Sequence, residues 1–252
     1  GQRVILLARR TVRSGDLDTS LAIEDAALAL NSDLTVVGLV GIVDPPRPEI
    51  PSVVATCRGA GIRFFMVTGD YSKTAEAIAR QCGIVTSKKV HTAETLHTVE
   101  LPVYDTQADN DARPQHALSL TGADIIKLSP EDWEQICRFD EIVFSRTTPE
   151  NKLRIVKEFQ QRGECVGMTG DGVNDAPSLK QADIGIAMGG GSAVAMEAAD
   201  MVLLESFSAI VEALLYGRLV FVNLKKTIGY LLPAGTFAEL WAVLLSFFFG
   251  LP

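Results

Sequence analysis

Two carboxylates four residues apart, Asp171 and Asp175, lie in the run Met-Thr-Gly-Asp-Gly-Val-Asn-Asp-Ala-Pro-Ser-Leu-Lys at residues 168–180. Glycines on both sides of Asp171 leave room for a phosphate and a hydrated metal to approach the backbone. Phosphoryl transfer needs a hydroxyl or backbone donor, a cation, and a magnesium held by carboxylates around three oxygens. The chain offers those parts in order. Thr68 and the Gly69 amide, in Met-Val-Thr-Gly-Asp, can hold phosphoryl oxygens. Lys152 stands in the first turn of a predicted helix, where its own charge and the helix dipole both favour an anion. Asp171 reads as a magnesium ligand, Asp175 as its support and Asn174 as a donor to the phosphate. Singly, Thr-Gly-Asp is a common turn and Lys152 an ordinary solvated lysine; their joint order points to phosphate.

Such residues must be brought together by the elements around them. Residues 34–43 are a nearly continuous apolar run closed by Pro45 and Pro46, which predicts a buried strand. A helix is expected over 49–60, a strand over 62–67, and a helix to Cys82 with Ser72 as its N-cap. Residues 86–120 break the rhythm with His, Asp, Asn and Pro, and predict a surface excursion. Ser129 and Pro130 announce a helix to about Phe139. A strand at 142–145, a helix at 149–161, a strand at 165–168 and a helix at 176–181 follow, then strands at 184–187 and 201–204. Strands alternating with helices imply an α/β fold, a doubly wound parallel sheet with its ligand at the carboxyl edge of the strands. Thr68, Lys152, Asp171 and Asp175 all fall at or near that edge.

The chemistry is confined further by composition. With 252 residues and a net charge of -8, the chain has no basic stripe for a nucleic-acid backbone, so no nucleic-acid partner is expected. Cys57, Cys82, Cys137 and Cys165 form no Cys-x-x-Cys pair, and read as buried small hydrophobes in a reducing cytosol. The first residues do not have the succession of a signal peptide, there is no initiator Met, and both ends read as cut. Residues 227–252 carry one side chain charged at neutral pH, Glu239. Residues 230–252 would span about 34 Å as a helix, against roughly 30 Å of hydrocarbon. Lys225 and Lys226 favour a cytosolic start, so residues 1–226 are expected in the cytosol and the lipid bilayer is an expected partner.

Five ordered motifs carry a resemblance: Asp44 to Arg47, Met66 to Asp70, Phe144 to Lys152, Thr169 to Lys180, and Asn223 to Ile228. From about Leu34 onward the chain resembles the type II P-type cation-transporting ATPases, nearest the sodium/potassium and proton/potassium group, whose phosphorylation domain is haloacid dehalogenase-like. The resemblance implies a pump that couples ATP hydrolysis, through an aspartyl phosphate, to ion transport, with magnesium and ATP as cofactors. It implies that Thr68 and Gly69 bind the phosphoryl group, Lys152 coordinates phosphate, and Asp171 ligates magnesium beside Asn174 and Asp175. Arg146 matches an arginine that contacts the nucleotide, with Asp70 close to it. Residues 1–32 would be the tail of a nucleotide-binding domain, 33–206 the later part of the phosphorylation domain, 207–229 a stalk and 230–252 a transmembrane helix. The expected partners are the remainder of the pump (actuator domain, nucleotide domain and other membrane helices) and the transported cation.

Departures matter as much. The Asp-Lys-Thr-Gly-Thr segment that carries the phosphorylated aspartate is absent, so the first strand of the sheet is missing from its middle and the chain alone is expected to be inactive. Ala193 and Met196 stand where the family has an acid and a polar or basic residue. Near the membrane centre a glutamate costs roughly 2.5–3.5 kcal/mol unless it meets a partner, so Glu239 is a possible ligand of the transported cation. Pro233 and Gly235 can free backbone carbonyls for that ion. Yet Glu239 lies one place further from Tyr230 than in the potassium pumps, about 100° around a helix. Two other readings remain open. Asp44 could be the nucleophile of a self-contained haloacid dehalogenase-type phosphatase, although Pro45 and Pro46 lack the N–H groups that would cradle its phosphoryl. The chain could also be a non-catalytic fragment that binds magnesium and phosphate or pairs with a pump.

Overall fold

The computed structural model describes residues 3–11, 24, 28, 31–42, 45–104 and 115–250. Asp44 lies outside the described residues, as does the centre of the expected excursion, 105–114. The first two strands, β1 (Arg3–Arg9) and β2 (Thr35–Ile42), pair antiparallel in a ribbon of their own. This corrects the expectation that residues 34–43 are a buried strand. Val36, Val37, Leu39 and Val40 are all exposed. An apolar run specifies an extended segment, but only a partner layer buries it, and the ribbon's side chains face solvent on both sides.

From Ile50 onward helices and strands alternate: α1 (Ile50–Gly59), β3 (Phe65–Val67), α2 (Ser72–Gln81), β4 (Val90–His91), β5 (Ala117–Thr121), α3 (Gly122–Lys127), α4 (Pro130–Ile136) and β6 (Glu141–Ser145). They continue with α5 (Pro149–Gln161), β7 (Gly167–Gly170), α6 (Ala176–Gln181), β8 (Ile184–Met188), α7 (Ala193–Ala198), β9 (Met201–Leu203) and α8 (Ala209–Phe249). Every pairing among β3 to β9 is parallel, as the alternation predicts. Local chemistry starts the helices. Ser129 accepts from the Asp132 N–H while Asp132 accepts from the Ser129 N–H, and Pro130 follows at the first helical position. Thr148 caps α5 in the same way, through the Asn151 N–H.

Two local expectations change. Ser72 is not the N-cap of α2: Tyr71, with extended φ and ψ of -64° and 145°, ends the preceding loop. The Ser72 hydroxyl instead meets that of Ser119 at 3.3 Å, a bond to a neighbouring strand that local spacing does not reveal. The excursion over 86–120 is also narrower than expected. It contains β4, a 3-10 turn at Ala93–Thr98, and β5, whose Leu118 and Leu120 are fully buried in the middle of a sheet. Five residues flanked by polar sequence are too few for a period to show.

The parallel strands form two sheets, ordered β3-β6-β5-β4 and β7-β8-β9, with no ladder between β3 and β7. They nevertheless run alongside one another. Just before these strands, Arg63 pairs with Glu164 at 2.6 Å. Beyond the carboxyl ends of β6 and β7, Lys152 of α5 pairs with Asp175 at 2.5 Å. Helices also straddle the seam. Val54 of α1 packs with Ala75, Ala79 and Val143, whereas Val53 and Cys57 pack with Ile186 and Leu203 of the other sheet. Phe159 of α5 lies 5.3 Å from Phe65 of β3, in a core that also takes in Val166 just before β7. Fully buried side chains such as Val53, Val54 and Phe159 contribute about 1.5–3 kcal/mol each. The sheet therefore opens where the sequence predicts a missing strand.

α8 is one continuous helix of 41 residues, about 62 Å long, which stays against the domain as far as Arg218 and then leaves it. It is the one described helix long and apolar enough to cross a membrane. Pro233 does not unwind it. The Thr236 hydroxyl donates to the Leu232 carbonyl at 2.6 Å, occupying a backbone acceptor beside the proline.

Candidate functional site

Thr68 follows β3 directly, and its backbone is held on both sides. Its N–H donates to the Phe144 carbonyl at 2.9 Å, and its carbonyl accepts from the Thr147 N–H and hydroxyl at 3.1 and 3.0 Å. Among the described residues its hydroxyl oxygen accepts only the Asp70 N–H, at 3.2 Å, which leaves the hydroxyl hydrogen for a ligand. Gly69 is exposed, and its N–H has no partner among the described residues. These are two donors side by side at the end of a strand.

The next strand end adds a cation. Arg146 follows β6 with φ at 50°, a left-handed conformation that an L residue enters at some cost. Its N–H donates to the Asp70 carbonyl at 2.9 Å, and its guanidinium lies 4.3 Å from the Tyr71 ring centroid. Arg146 and Asp70, assigned together on sequence, are therefore adjacent.

Lys152 reaches the seam from the first turn of α5. Its ammonium lies 2.5 Å from Oδ1 of Asp175, which is only 8% exposed and also accepts the Gly172 N–H at 3.3 Å. Asp171, just past β7, is exposed and its carboxylate has no partner among the described residues. Its carbonyl accepts the Ser192 N–H at 2.7 Å. Asn174, in a 3-10 turn at Val173–Asp175, is exposed. The glycines between these groups are steric necessities: a Cβ on Gly170 would lie 2.6 Å from Cβ of Asp175, and one on Gly191 would lie 2.8 Å from the Asp171 carbonyl oxygen.

Among the described residues no group of three or more His, Cys, Asp or Glu side chains is disposed to enclose a metal. That donor set suits magnesium better than a fully caged ion. Magnesium keeps several waters and is held through one or two carboxylates plus substrate phosphates. Asp171 is the free carboxylate; Asp175 already shares its charge with Lys152.

The sequence model of haloacid dehalogenase-like hydrolases matches residues 4–101 and 106–183. The chain belongs to the haloacid dehalogenase-like hydrolase family. Within it, the chain is 44% identical over 231 residues to the human potassium-transporting ATPase alpha chain 2, covering 90% of this chain and 22% of that one. It is 44% identical to the sodium/potassium-transporting ATPase subunit alpha-A of Artemia franciscana, over 88% of this chain and 22% of that subunit. With the potassium-transporting ATPase alpha chain 2 of Cavia porcellus the identity is 46%, over 88% and 21%. This similarity supports the type II P-type ATPase resemblance, and the chain spans about a fifth of the length of these relatives. Haloacid dehalogenase-like hydrolases and P-type ATPases generally use magnesium, and the ATPases use ATP.

For a haloacid dehalogenase-like hydrolase, the sequence reading missed three supports. Thr147 holds the Thr68 backbone, Tyr71 holds Arg146, and Ser192 fixes Asp171. Thr147 stood inside a motif already singled out, but nothing in its spacing pairs it with Thr68, 79 residues away. Glu239 is not drawn into this site. It is exposed on α8, with no partner among the described residues.

Proposed function

We propose that the chain is the magnesium- and phosphate-handling part of an ATP-driven cation pump, together with the helix that joins it to the membrane. In this reading residues 1–32 are the tail of the nucleotide-binding domain, 33–206 the later part of the phosphorylation domain, 207–229 a stalk and 230–252 a membrane helix. The observation that carries it is the Lys152–Asp175 contact, which bridges the seam at the carboxyl ends of β6 and β7. In this reading a single parallel strand from the remainder of the pump enters between the β3 and β7 edges, which share no ladder. Its last residue would emerge between Thr68 and Asp171, where an aspartate can be phosphorylated by ATP.

The roles then follow from what each group offers. Thr68 and the Gly69 N–H donate to phosphoryl oxygens, and Asn174 donates from the other side. Lys152 supplies positive charge at a helix N-terminus, with Asp175 holding its ammonium in place. Asp171 holds magnesium, supported by Asp175; when bound, the ion draws charge from the phosphoryl oxygens. Arg146 and Asp70 face the nucleotide. Residues 1–226 are cytosolic, and α8 carries Glu239 into the bilayer as a possible ligand of the transported cation.

The test is acid-stable, hydroxylamine-sensitive labelling by radioactive ATP. The whole pump should label, Asp171→Asn and Lys152→Ala should abolish it, and the 252-residue chain by itself should not label. Labelling of the chain alone that disappears in Asp44→Asn would replace this reading with the self-contained phosphatase. A whole protein that binds magnesium and phosphate but never labels would leave the non-catalytic reading.

A further inference from the structure

Tyr71 holds the Arg146 cation in an unusual manner. An arginine beside a phosphate site is ordinarily fixed by a carboxylate, which neutralises its charge and occupies its N–H donors. Arg146 is fixed differently. Its backbone is turned into the left-handed region and tied to Asp70, and its guanidinium rests 4.3 Å from the centroid of the Tyr71 ring. No side-chain hydrogen bond or ion pair to a protein acceptor engages it among the described residues. The tyrosine is 67% exposed, so the ring is not there to fill a core.

An aromatic face attracts a guanidinium through its quadrupole, without accepting the N–H bonds that lie in the guanidinium plane. Five donors and a full positive charge therefore remain for a ligand. The strand order gives the pair its place: β6 neighbours β3, and β3 borders the seam. Arg146 is thus held over the loop that carries Thr68 and Asp70, on the side where phosphate is handled.

We propose that Tyr71 is a positioning residue for nucleotide binding, which holds Arg146 by its ring face so that the guanidinium can take the phosphate chain of a nucleoside triphosphate. The inference rests on the pump reading above. In the whole pump, Tyr71→Ala should raise the ATP concentration for half-maximal phosphorylation about two- to five-fold, the worth of an exposed cation–π contact, with a smaller fall in the maximal level. Tyr71→Phe keeps the ring and should restore the wild-type ATP dependence. In an Arg146→Ala background, Tyr71→Ala should add no further shift.

Three results would overturn the assignment. Tyr71→Phe could behave like Tyr71→Ala, which would make the hydroxyl the working group. Tyr71→Ala could act equally with and without Arg146, or could leave the ATP dependence unmoved in a pump that phosphorylates normally. A whole protein that forms no phosphoenzyme would remove the pump reading, and this inference with it.

Discussion

Alanine at Gly170 should disable the site by displacing Asp175, without removing any functional side chain. The added Cβ would stand 2.6 Å from Asp175 Cβ, and 2.9 Å from both its Cγ and Oδ2. Cβ is anchored to the backbone, so rotation of the side chain cannot relieve the closest contact. Asp175 must retreat by about 0.8 Å to reach the 3.4 Å of ordinary van der Waals contact. The same displacement pulls its carboxylate from Lys152, now 2.5 Å away. A misplacement of about 1 Å costs on the order of 100-fold in rate where groups must be prealigned, and overpacking of this kind costs about 1–3 kcal/mol of stability. Gly167 provides the control within the same strand: a Cβ there has its nearest neighbour, the Ile184 carbonyl oxygen, at 4.0 Å. The assay is the initial rate of phosphoenzyme formation from ATP in the whole pump, at saturating magnesium, for Gly170→Ala and Gly167→Ala side by side. Gly170→Ala should be slower by about two orders of magnitude and Gly167→Ala close to wild type. Equal rates would refute the claim that Asp175 is held in place by the absence of a Cβ at Gly170.

Glu141 is fully buried and takes bonds from the Thr86 N–H and hydroxyl, the Ser87 N–H and Arg58, so Glu141→Gln should cost about 3 kcal/mol, the low end for breaking a buried pair, because Arg58 is 17% exposed and can rehydrate. Thermal unfolding followed at the buried Trp133, with Trp241→Phe as background, should show a fall in Tm of about 6–12 °C. Burial raises the thiols of Cys57, Cys82 and Cys137, the last to about 11, whereas Cys165 is exposed; iodoacetamide at neutral pH should modify Cys165 first, as read by mass spectrometry of the native protein. For Asp132, burial works against the charged form, but bonds from the Ser129 N–H and hydroxyl and from His97 outweigh it and lower the pKa. Stability from that carboxylate is present above the usual carboxylate range and lost as pH falls through the lowered value. Asp132→Ala should therefore cost about 1 kcal/mol at pH 7, a gap that narrows below about pH 4 in urea titrations.

What the sequence made legible was set by the range of the interactions involved. Ser129, Pro130 and Asp132 sit within four residues of one another, and their helix begins where that grouping requires. The same holds for Thr148 and Pro149 at the start of α5. Ser72 misled because its partner is Ser119, on another strand. Leu118 and Leu120 misled because burial in a central strand depends on neighbours from β4 and β6, while their own flanks are polar. The β2 run failed in the opposite sense, with apolar residues that no layer covers. The site divides in the same way. Thr68, Lys152 and Asp171 declared themselves as residue types in order, whereas Thr147, Tyr71 and Ser192, which hold functional groups in place, act through contacts that spacing does not encode.

The seam gives these parts a mechanical relation to the membrane helix. Val53 and Val54 are consecutive in α1, yet they pack into the cores of different sheets, so α1 cannot keep both contacts if the spacing of β3 and β7 changes. α8 and the segment that leads into it are fastened to both ends of that same helix. At the N-cap the Ser206 hydroxyl donates to Glu49 at 3.2 Å, and at the C-cap Arg218 donates to the Ala60 carbonyl at 2.7 Å. Ile210 and Leu214 then pack into the core that holds Val53 and Cys57. Well-packed interiors transmit displacement because they have little free volume in which to absorb it. A strand that enters or shifts within the seam therefore acts on α1 first, and through Glu49 and Ala60 on the base of α8. The groups proposed to meet a phosphate and the helix long and apolar enough to cross a membrane thus share one support, α1.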